Sequence, residues 1–333
     1  MSAPGPDGAS PAWDQPRVGV VLVAYNEPTV LLRCVAALEA SRGVGLEIIV
    51  ADNSLDERVA DALAGRRGLH LLPMGGNRGF CRATNAGIRE SARLGMPYTL
   101  VLNHDTEVEP GCIAALAARC AALGNRAIVG GKILYSGAPA RIWFAGGRLV
   151  KWMGVGVHDR FKLVDDGRPE SSRDVTYLTG CCLLASTAAF ADIGMLREDM
   201  FMYLDDAEFS LRARATGYCL HYEPAAVLRH DVGTGTGKSF LGLPDYYLYF
   251  SVRNKPLVAG GGAYRAYLHL FALALGAAKA TLYGMSAGVP DRGRKVRALL
   301  WGMWDSLSAT ERYQARFPRL FRSREAGIGP AEN

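Results

Sequence analysis

The stretch VGVVLVAYNEPTVLLRCVAAL, Val18 to Leu38, decides the fold. Val18 to Ala24 is apolar, rich in β-branched valine and unbroken except by one glycine. Such a run suits a parallel strand buried on both faces. Pro28 then opens a helix, in which Leu31, Leu32, Val35 and Leu38 recur at helical spacing. Between strand and helix stand Tyr25, Asn26 and Glu27, polar residues that packing at a strand end does not require.

The same alternation continues downstream. Leu46–Ala51, Leu69–Leu72 and Tyr98–Leu102 read as further strands. Helices are predicted through Val59 and Leu63, over Phe80–Leu94, and from Pro110 to Leu123. Strands alternating with helices through short connections predict a three-layer α/β/α arrangement around a mostly parallel sheet. Ligands of such sheets bind beyond the carboxyl ends of the strands. Three of these ends carry polar clusters: Tyr25-Asn26-Glu27, Asp52-Asn53 and Asn103-His104-Asp105.

The second half reads differently. Strands with glycine breaks are expected over Ile128–Leu134 and Arg141–Val150, a polar surface loop over Asp159–Arg173, and a strand over Val175–Leu178. Helices are expected over Ser186–Ile193 and Asp205–Thr216, the latter stopped by Gly217. Tyr218–Tyr222 and Ala226–His230 read as two short extended pieces, and the chain from Pro244 onward as helical. The domain plan is a disordered lead-in over 1–16, a catalytic α/β domain over 17–243 and a helical extension over 244–333.

Four clusters could carry chemistry. Asp105, after a strand, could hold a divalent ion bridging a diphosphate, since Mg²⁺ or Mn²⁺ on a diphosphate needs one or two protein carboxylates. Asp205, Asp206 and Glu208 open a helix and exceed what a cap requires, so one of them could act as a general base. His230 offers an imidazole ligand just before the glycine-rich stretch Gly233–Ser239, which could form a mobile lid. That stretch nearly imitates a P-loop, but Val232 stands where the motif needs glycine. Gly75–Arg82 leads into a helix, with Arg78 and Arg82 available to phosphate.

In this order and spacing, the clusters resemble the family-2 glycosyltransferases, over roughly Val18 to Ser239. The strings that carry the resemblance are VVLVAYNEP, EIIVADNS, GGNRGFCRATNAGI, LVLNHDTEVEP, FMYLDDAEFSLRARATGY and VLRH. LVLNHDTEVEP is similar to the family's Asp-x-Asp segment in its rhamnosyltransferase-like members, with Asn103 in place of the first acid and His104 between.

The resemblance implies a GT-A-type fold and an inverting transfer from a nucleoside-diphosphate sugar (dTDP- or UDP-linked, with rhamnose the first expectation) to a hydroxyl of a glycan, lipid-linked or secondary-metabolite acceptor. It places Ala24, Tyr25, Asn26, Glu27, Asp52, Gly79, Arg82, Asn85, Asn103, His104 and Asp105 around the donor. It gives Asp105 and His230 to a Mn²⁺ or Mg²⁺ ion, and the base role to Asp206, with Asp205 as the competing assignment. Trp143, Phe144, Gly146 and Gly147 suggest an aromatic wall for the acceptor, and Gly180 and Cys181 pass close to the reacting sugar.

Two rivals differ in class. A sugar nucleotidyltransferase wants a glycine-rich basic loop after its first strand, where this chain has Tyr25-Asn26-Glu27. A non-catalytic nucleotide-sugar-binding subunit predicts a disabled site, yet Asp105, Asp206 and His230 are all present.

Composition constrains the partners. The 333 residues carry a net charge of +6, which suits anionic ligands or a membrane surface. No recognised nucleic-acid module is present. The seven cysteines form no CxxC pair and read as reduced, buried thiols of a cytoplasmic protein. The charge-free runs Val175–Ala191 and Ala266–Ala278 fall short of the roughly 20 residues a bilayer span needs. Beyond Pro244, Tyr264, Leu268, Phe271 and Leu275 share a helical face, and Arg292, Arg294, Lys295 and Arg297 precede Leu299–Trp301. That combination suits peripheral contact with the inner face of the cell membrane, packing on the main domain, or a homo-oligomer contact.

Overall fold

Four parallel strands build the half of the sheet on which the donor clusters were expected. They are β1 (Arg17–Ala24), β2 (Gly45–Asp52), β3 (Leu69–Pro73) and β4 (Tyr98–Asn103). Between them run α1 (Pro28–Glu39), α2 (Arg58–Leu63) and α3 (Phe80–Arg93). The computed structural model describes residues 15–66, 68–231, 242–286, 289–307 and 312–321. Ala24 pairs with Asp52 and Val23 with Asn103, so the polar strand ends lie side by side along one rim. Val18, Val20, Val21 and Leu22 are fully buried, as the apolar run requires. Each such side chain contributes about 1.5–3 kcal/mol by leaving water.

The other half of the sheet is mixed. It contains β5 (Thr106–Val108), β6 (Ala127–Tyr135), β7 (Ile142–Phe144), β10 (Arg173–Val175), β11 (Cys182–Ser186) and β12 (Cys219–His230). The strand order is β10-β12-β6-β11-β4-β1-β2-β3, with β5 on β12 and β7 on β6. β6 and β12 are parallel, while β11 lies antiparallel between β4 and β6. A separate hairpin pairs β8 (Gly147–Val150) with β9 (Val155–His158). α4 (Cys112–Ala122), α5 (Thr187–Ile193) and α6 (Asp205–Ala215) complete this part.

Several expectations change. The strand expected over Val175–Leu178 ends at Val175, and the run that follows supplies β11 instead. The two extended pieces near His230 form one strand, β12, whose register shifts between Glu223 and Val227, where Pro224 interrupts pairing. The polar segment Asp159–Arg173 is the expected surface loop up to Ser172, and ion pairs anchor it. Lys132, almost buried, ion-pairs with Asp165 at 3.2 Å and Glu170 at 2.8 Å.

The C-terminal part is helical: α7 (Asp245–Arg253), α8 (Gly262–Met285), α9 (Arg292–Ser306) and α10 (Tyr313–Arg316). The run Ala266–Ala278 is the middle of α8, whose 24 residues are long and apolar enough to cross a membrane by length and composition. α8 packs through Leu268, Ala272, Gly276 and Tyr283 and leaves Tyr267, Leu270, Leu282 and Met285 exposed.

Candidate active site

The pairing of β5 with β12 sets the first part of the site. His230 lies opposite Thr106, and the Asp231 amide donates to the Asp105 carbonyl at 2.8 Å. The side chains consequently meet, with His230 Nε2 3.0 Å from Asp105 Oδ1. Asp105 Oδ1, His230 Nδ1 and His104 Nε2 are buried, and apart from the close His230–Asp105 approach none of the three has a hydrogen-bond partner among the described residues. Leaving such a group unpaired costs about 1–3 kcal/mol. Burial pushes the Asp105 carboxyl up, but the imidazoles of His230 and His104 outweigh it and hold the group below its ordinary range. Burial pushes the His104 imidazole down, toward its neutral form.

One carboxylate and one imidazole, both short of partners, fit a divalent cation that takes the rest of its shell from phosphate and water. No group of three or more His, Cys, Asp or Glu able to hold a metal occurs among the described residues. Any ion here would therefore depend on a ligand for the remaining positions.

The acid pair reaches the same cleft from another direction. A cavity of about 560 Å³ is lined by Asn103 and His230 and also by Asp205 and Asp206. Trp143, His158, Tyr177, Gly180 and Cys181 complete its wall. Segments more than 100 positions apart in the chain thus converge on one space.

Within the pair, the two acids differ. Asp205 is buried, with 6 % of its surface exposed, and burial together with the adjacent Asp206 pushes its carboxyl well up. Asp206 is half-buried and held by three donors. Oδ2 accepts the Tyr177 hydroxyl at 2.5 Å and the Gly180 amide at 3.3 Å, and Oδ1 accepts the Ala207 amide at 2.8 Å. Tyr177 is pressed flat against the β8–β9 hairpin, so closely that a Cβ on Gly156 would fall 2.2 Å from its ring.

The segment before α6 is strained. Phe201, Tyr203 and Leu204 have φ of 64°, 68° and 65°, in the left-handed region. Each such non-glycine residue costs on the order of 1–3 kcal/mol.

The donor cluster is tightly cross-linked. Asn26, with φ 56°, accepts the Leu55 amide on Oδ1 at 3.0 Å, and its own amide donates to Ser54 Oγ at 3.0 Å. Asp52, mostly buried, accepts the Ser54 amide at 2.9 Å. Gly79 sits between Asn53, whose Nδ2 donates to its carbonyl at 3.0 Å, and the Phe201 ring. The Tyr25 hydroxyl donates to the Leu320 carbonyl at 3.1 Å, so the C-terminal segment closes over this side. Ala24 is buried at the end of β1, while Glu27 is exposed beyond it.

Four expected positions have different surroundings. Asn85 is buried and both ends of its amide are engaged, by the Leu196 backbone at 2.8 and 3.0 Å and by Glu198 at 3.1 Å. Both ends of that amide, expected beside the donor phosphates, are engaged within the protein by the loop before the acid pair. Arg82 lies beside Asn85, 3.6 Å from Glu198. Gly146 is buried, and an added Cβ there would lie 2.9 Å from the Arg173 guanidinium. Phe144 also turns into the core, because alternation along β7 gives the cleft to Trp143 alone of the two.

Residues that sequence reasoning missed are His158, Tyr177, Arg253 and Asn254. His158 stands edge-on to Trp143, 4.6 Å between ring centres, and its Nδ1 lies 2.8 Å from the Trp143 carbonyl. Burial pushes its imidazole down. No local pattern marks these residues, since their partners come from other elements.

Residues 19–194, just over half of the chain, match the model of "Glycosyl transferase family 2". The chain belongs to that family. It is a glycosyltransferase, and its Asp205–Asp206 and His230 lie beyond the matched segment. It is 26 % identical over 239 residues to an N-acetylglucosaminyl-diphospho-decaprenol L-rhamnosyltransferase of Mycobacterium tuberculosis, covering 66 % of this chain and 77 % of that one. It is 24 % identical over 213 residues to a dTDP-rhamnosyl transferase of Shigella flexneri, covering 64 % and 68 %.

Among solved structures, the glycosyltransferase is similar in fold to GalNAc-T7 with UDP, GalNAc and Mn²⁺. The TM-score is 0.58 at 15 % identity, over 92 % of this chain and 58 % of that one. It is also similar to a mannosyltransferase from Pyrobaculum calidifontis in complex with GDP-Man and Mn²⁺. There the TM-score is 0.54 at 16 % identity, over 89 % and 88 %. The expected GT-A fold, with its mostly parallel donor half and helical C-terminal part, is therefore the observed one.

Proposed function

We propose that this glycosyltransferase moves a sugar, with inversion, from a dTDP- or UDP-sugar to an acceptor hydroxyl, and that the sugar is a deoxyhexose such as rhamnose. The observation that carries the reading is one cavity lined by both Asp206 and His230, with Asp105 directly behind His230 at 3.0 Å. Two relatives named as rhamnosyl transferases support the choice of sugar.

In the mechanism, Asp206 removes the proton from the attacking hydroxyl as the new bond to the anomeric carbon forms. The bond from that carbon to the diphosphate oxygen breaks on the opposite face, and the nucleoside diphosphate departs with the electron pair. Base assistance of this kind supplies about 10²–10⁴-fold in rate. The Tyr177 hydroxyl and the Gly180 and Ala207 amides keep the carboxylate aimed into the cavity. Asp205 is the weaker candidate because it is buried. Asp105 and His230 would hold a Mn²⁺ or Mg²⁺ ion, which when bound offsets charge on the leaving diphosphate. Tyr25, Asn26, Asp52, Gly79 and Arg82 would surround the nucleotide, and Trp143 with Gly180 and Cys181 the acceptor side.

The acceptor we propose is a lipid-linked glycan, reached at a membrane surface. Tyr267 and Leu270 on α8, and Leu300, Trp304 and Leu307 along the α9 side, are exposed apolar residues, with Trp152 beside Phe271 at the same end. Trp152 is three residues from Val155, which lines the cavity. Arg265, Arg292, Arg294 and Arg297 are exposed on the same two helices and match anionic headgroups.

Thermal-shift screening with UDP-, dTDP- and GDP-sugars, with and without Mn²⁺, tests the donor reading. If none of them raises the melting temperature, that reading fails. Co-sedimentation with vesicles of anionic and of neutral lipid tests the membrane reading. Absence from both pellets, or a stable dimer that buries α8, removes it.

A further inference from the structure

We propose that Arg253 and Asn254, at the end of α7, are the positioning residues for the catalytic acid pair. The inference rests on the reading of Asp206 as base, and it assigns a task to two side chains that touch neither donor nor acceptor.

The argument begins with the strain already described. Residues Phe201, Tyr203 and Leu204 hold left-handed backbone just before Asp205. Leu204 occupies the N-cap of α6, and no side chain caps that end. Local backbone bonds, such as the Met202 amide to the Met200 carbonyl at 2.8 Å, and the Cys81 amide on the Phe201 carbonyl at 3.1 Å hold parts of the segment, but none of them engages the Met202 or Tyr203 carbonyl. Relaxation of even one of these residues would swing the start of α6, and Asp206 with it.

The restraint comes from 50 positions downstream. Asn254 is wholly buried, and the two hydrogens of its Nδ2 are shared among the carbonyls of Met200 at 2.8 Å, Met202 at 2.8 Å and Tyr203 at 3.0 Å. Arg253, 2 % exposed, donates through Nη1 to the Asp199 carbonyl and, at 2.8 Å, to Asn254 Oδ1. The two side chains thus collect four carbonyls of residues 199–203, and Arg253 orients the amide that holds three of them. The next residue, Lys255, donates through Nζ to the Met153 carbonyl at 2.9 Å, in the turn between β8 and β9. That turn precedes Val155 and Gly156, which line the same cavity as the acids. One corner of the C-terminal part thus registers two parts of the cleft lining.

A purely structural role would predict loss of stability and of active protein in proportion. A positioning role predicts a split, since an acid displaced by about 1 Å can cost on the order of 10²-fold in rate while the nucleotide, held elsewhere, binds as before.

The test uses the full chain with Asn254→Asp and Arg253→Lys. Asn254→Asp keeps shape but turns a carboxylate toward three carbonyls. Nucleotide affinity is measured by calorimetry with UDP or dTDP and Mn²⁺, and turnover well below each variant's melting temperature. The expected result is Kd within about two-fold of the parent and kcat lower by roughly 10²-fold for Asn254→Asp. Adding Leu204→Gly to Asn254→Asp should return about ten-fold of that kcat, because glycine adopts positive φ unaided. Unchanged kcat in a folded Asn254 variant overturns the proposal. So does kcat falling in step with binding-competent protein, or no recovery with Leu204→Gly. If neither variant folds, hydrogen exchange on the parent decides: amides of 201–206 exchanging as slowly as the interior of α6 support the clamp, and unprotected exchange overturns it. A parent that binds no nucleotide sinks the functional reading itself, a result distinct from all of these.

Discussion

Gly79 is the point at which the nucleotide side of the cleft leans on the acid side, and Gly79→Ala measures how hard. Its φ is 87°, outside the range that an alanine adopts without strain. An alanine Cβ would also lie 2.4 Å from Phe201 Cδ2 and 2.8 Å from Cγ. The ring cannot retreat easily, because Phe250, Tyr313 and Phe321 stand 5.3, 4.6 and 5.6 Å from its centre. Positive φ costs about 1–3 kcal/mol and overpacking about 1–3 kcal/mol, roughly 2–6 kcal/mol together. Against a total stability of about 5–15 kcal/mol this is a large fraction. At about 2 °C per kcal/mol for a chain of this size, the melting temperature should fall by roughly 4–12 °C. Thermal unfolding followed by circular dichroism reads it directly. The double variant Gly79→Ala/Phe201→Leu should recover the steric share, with a coupling of about 0.5–3 kcal/mol. A single variant that melts within about 2 °C of the parent, or strictly additive losses, would refute the contact as the cause.

Three further outcomes are expected. Asp206→Asn should leave nucleotide affinity intact and lower single-turnover transfer by about 10²–10⁴-fold, whereas Asp205→Asn should cost less than about ten-fold; the reverse ranking would move the base to Asp205. His230→Ala should raise the Mn²⁺ concentration needed for half-maximal turnover by on the order of 10–100-fold, and an unchanged Mn²⁺ profile would remove His230 from the ion. Burial, with Lys279 adding to it, pushes the Lys255 ammonium down to about 8 from its ordinary 10.5. The unfolded chain therefore binds the extra proton between those values. The Lys255 contribution to stability is unfavourable below pH 8 and improves from there to about pH 10.5. Urea unfolding of parent and Lys255→Met across that range should show the parent gaining on the variant as pH rises, and a constant difference would contradict it.

The donor half was legible because each of its signals is local. A continuous apolar run, a polar strand end and a proline at the first helical position each follow from neighbours in sequence, and the parallel register of β1, β2 and β4 then aligns Ala24, Asp52 and Asn103. The misses share the opposite property. β11 lies inside an unpatterned charge-free run, and nothing in Cys182–Ser186 says that it inserts antiparallel between β4 and β6. Asn85 carries the expected residue type at the expected place, yet its amide is engaged by Leu196 and Glu198, 111 and 113 positions away. Gly146 sits next to the cleft in sequence but packs against Arg173 and Val175. Tyr177 is an ordinary buried tyrosine until α6 delivers Asp206 to its hydroxyl.

The change of character at Pro244 marks a boundary in sequence that the packing does not respect. Leu257, Val258, Ala259 and Leu268 belong to the same apolar core as β1 and β6. Phe201, from the strained loop, belongs instead to the cluster of Tyr249, Phe250, Ala298, Tyr313 and Phe317. The Asp105–His230 pair is set by strand pairing, which the sheet would preserve on its own. The acid pair follows backbone whose carbonyls are gathered mainly by Arg253 and Asn254, after Pro244, with the Cys81 amide on Phe201 besides. The two halves of the chemistry therefore stand on different supports. A perturbation of α7 should misplace the base while leaving Asp105 and His230 together, whereas one in β12 should do the reverse.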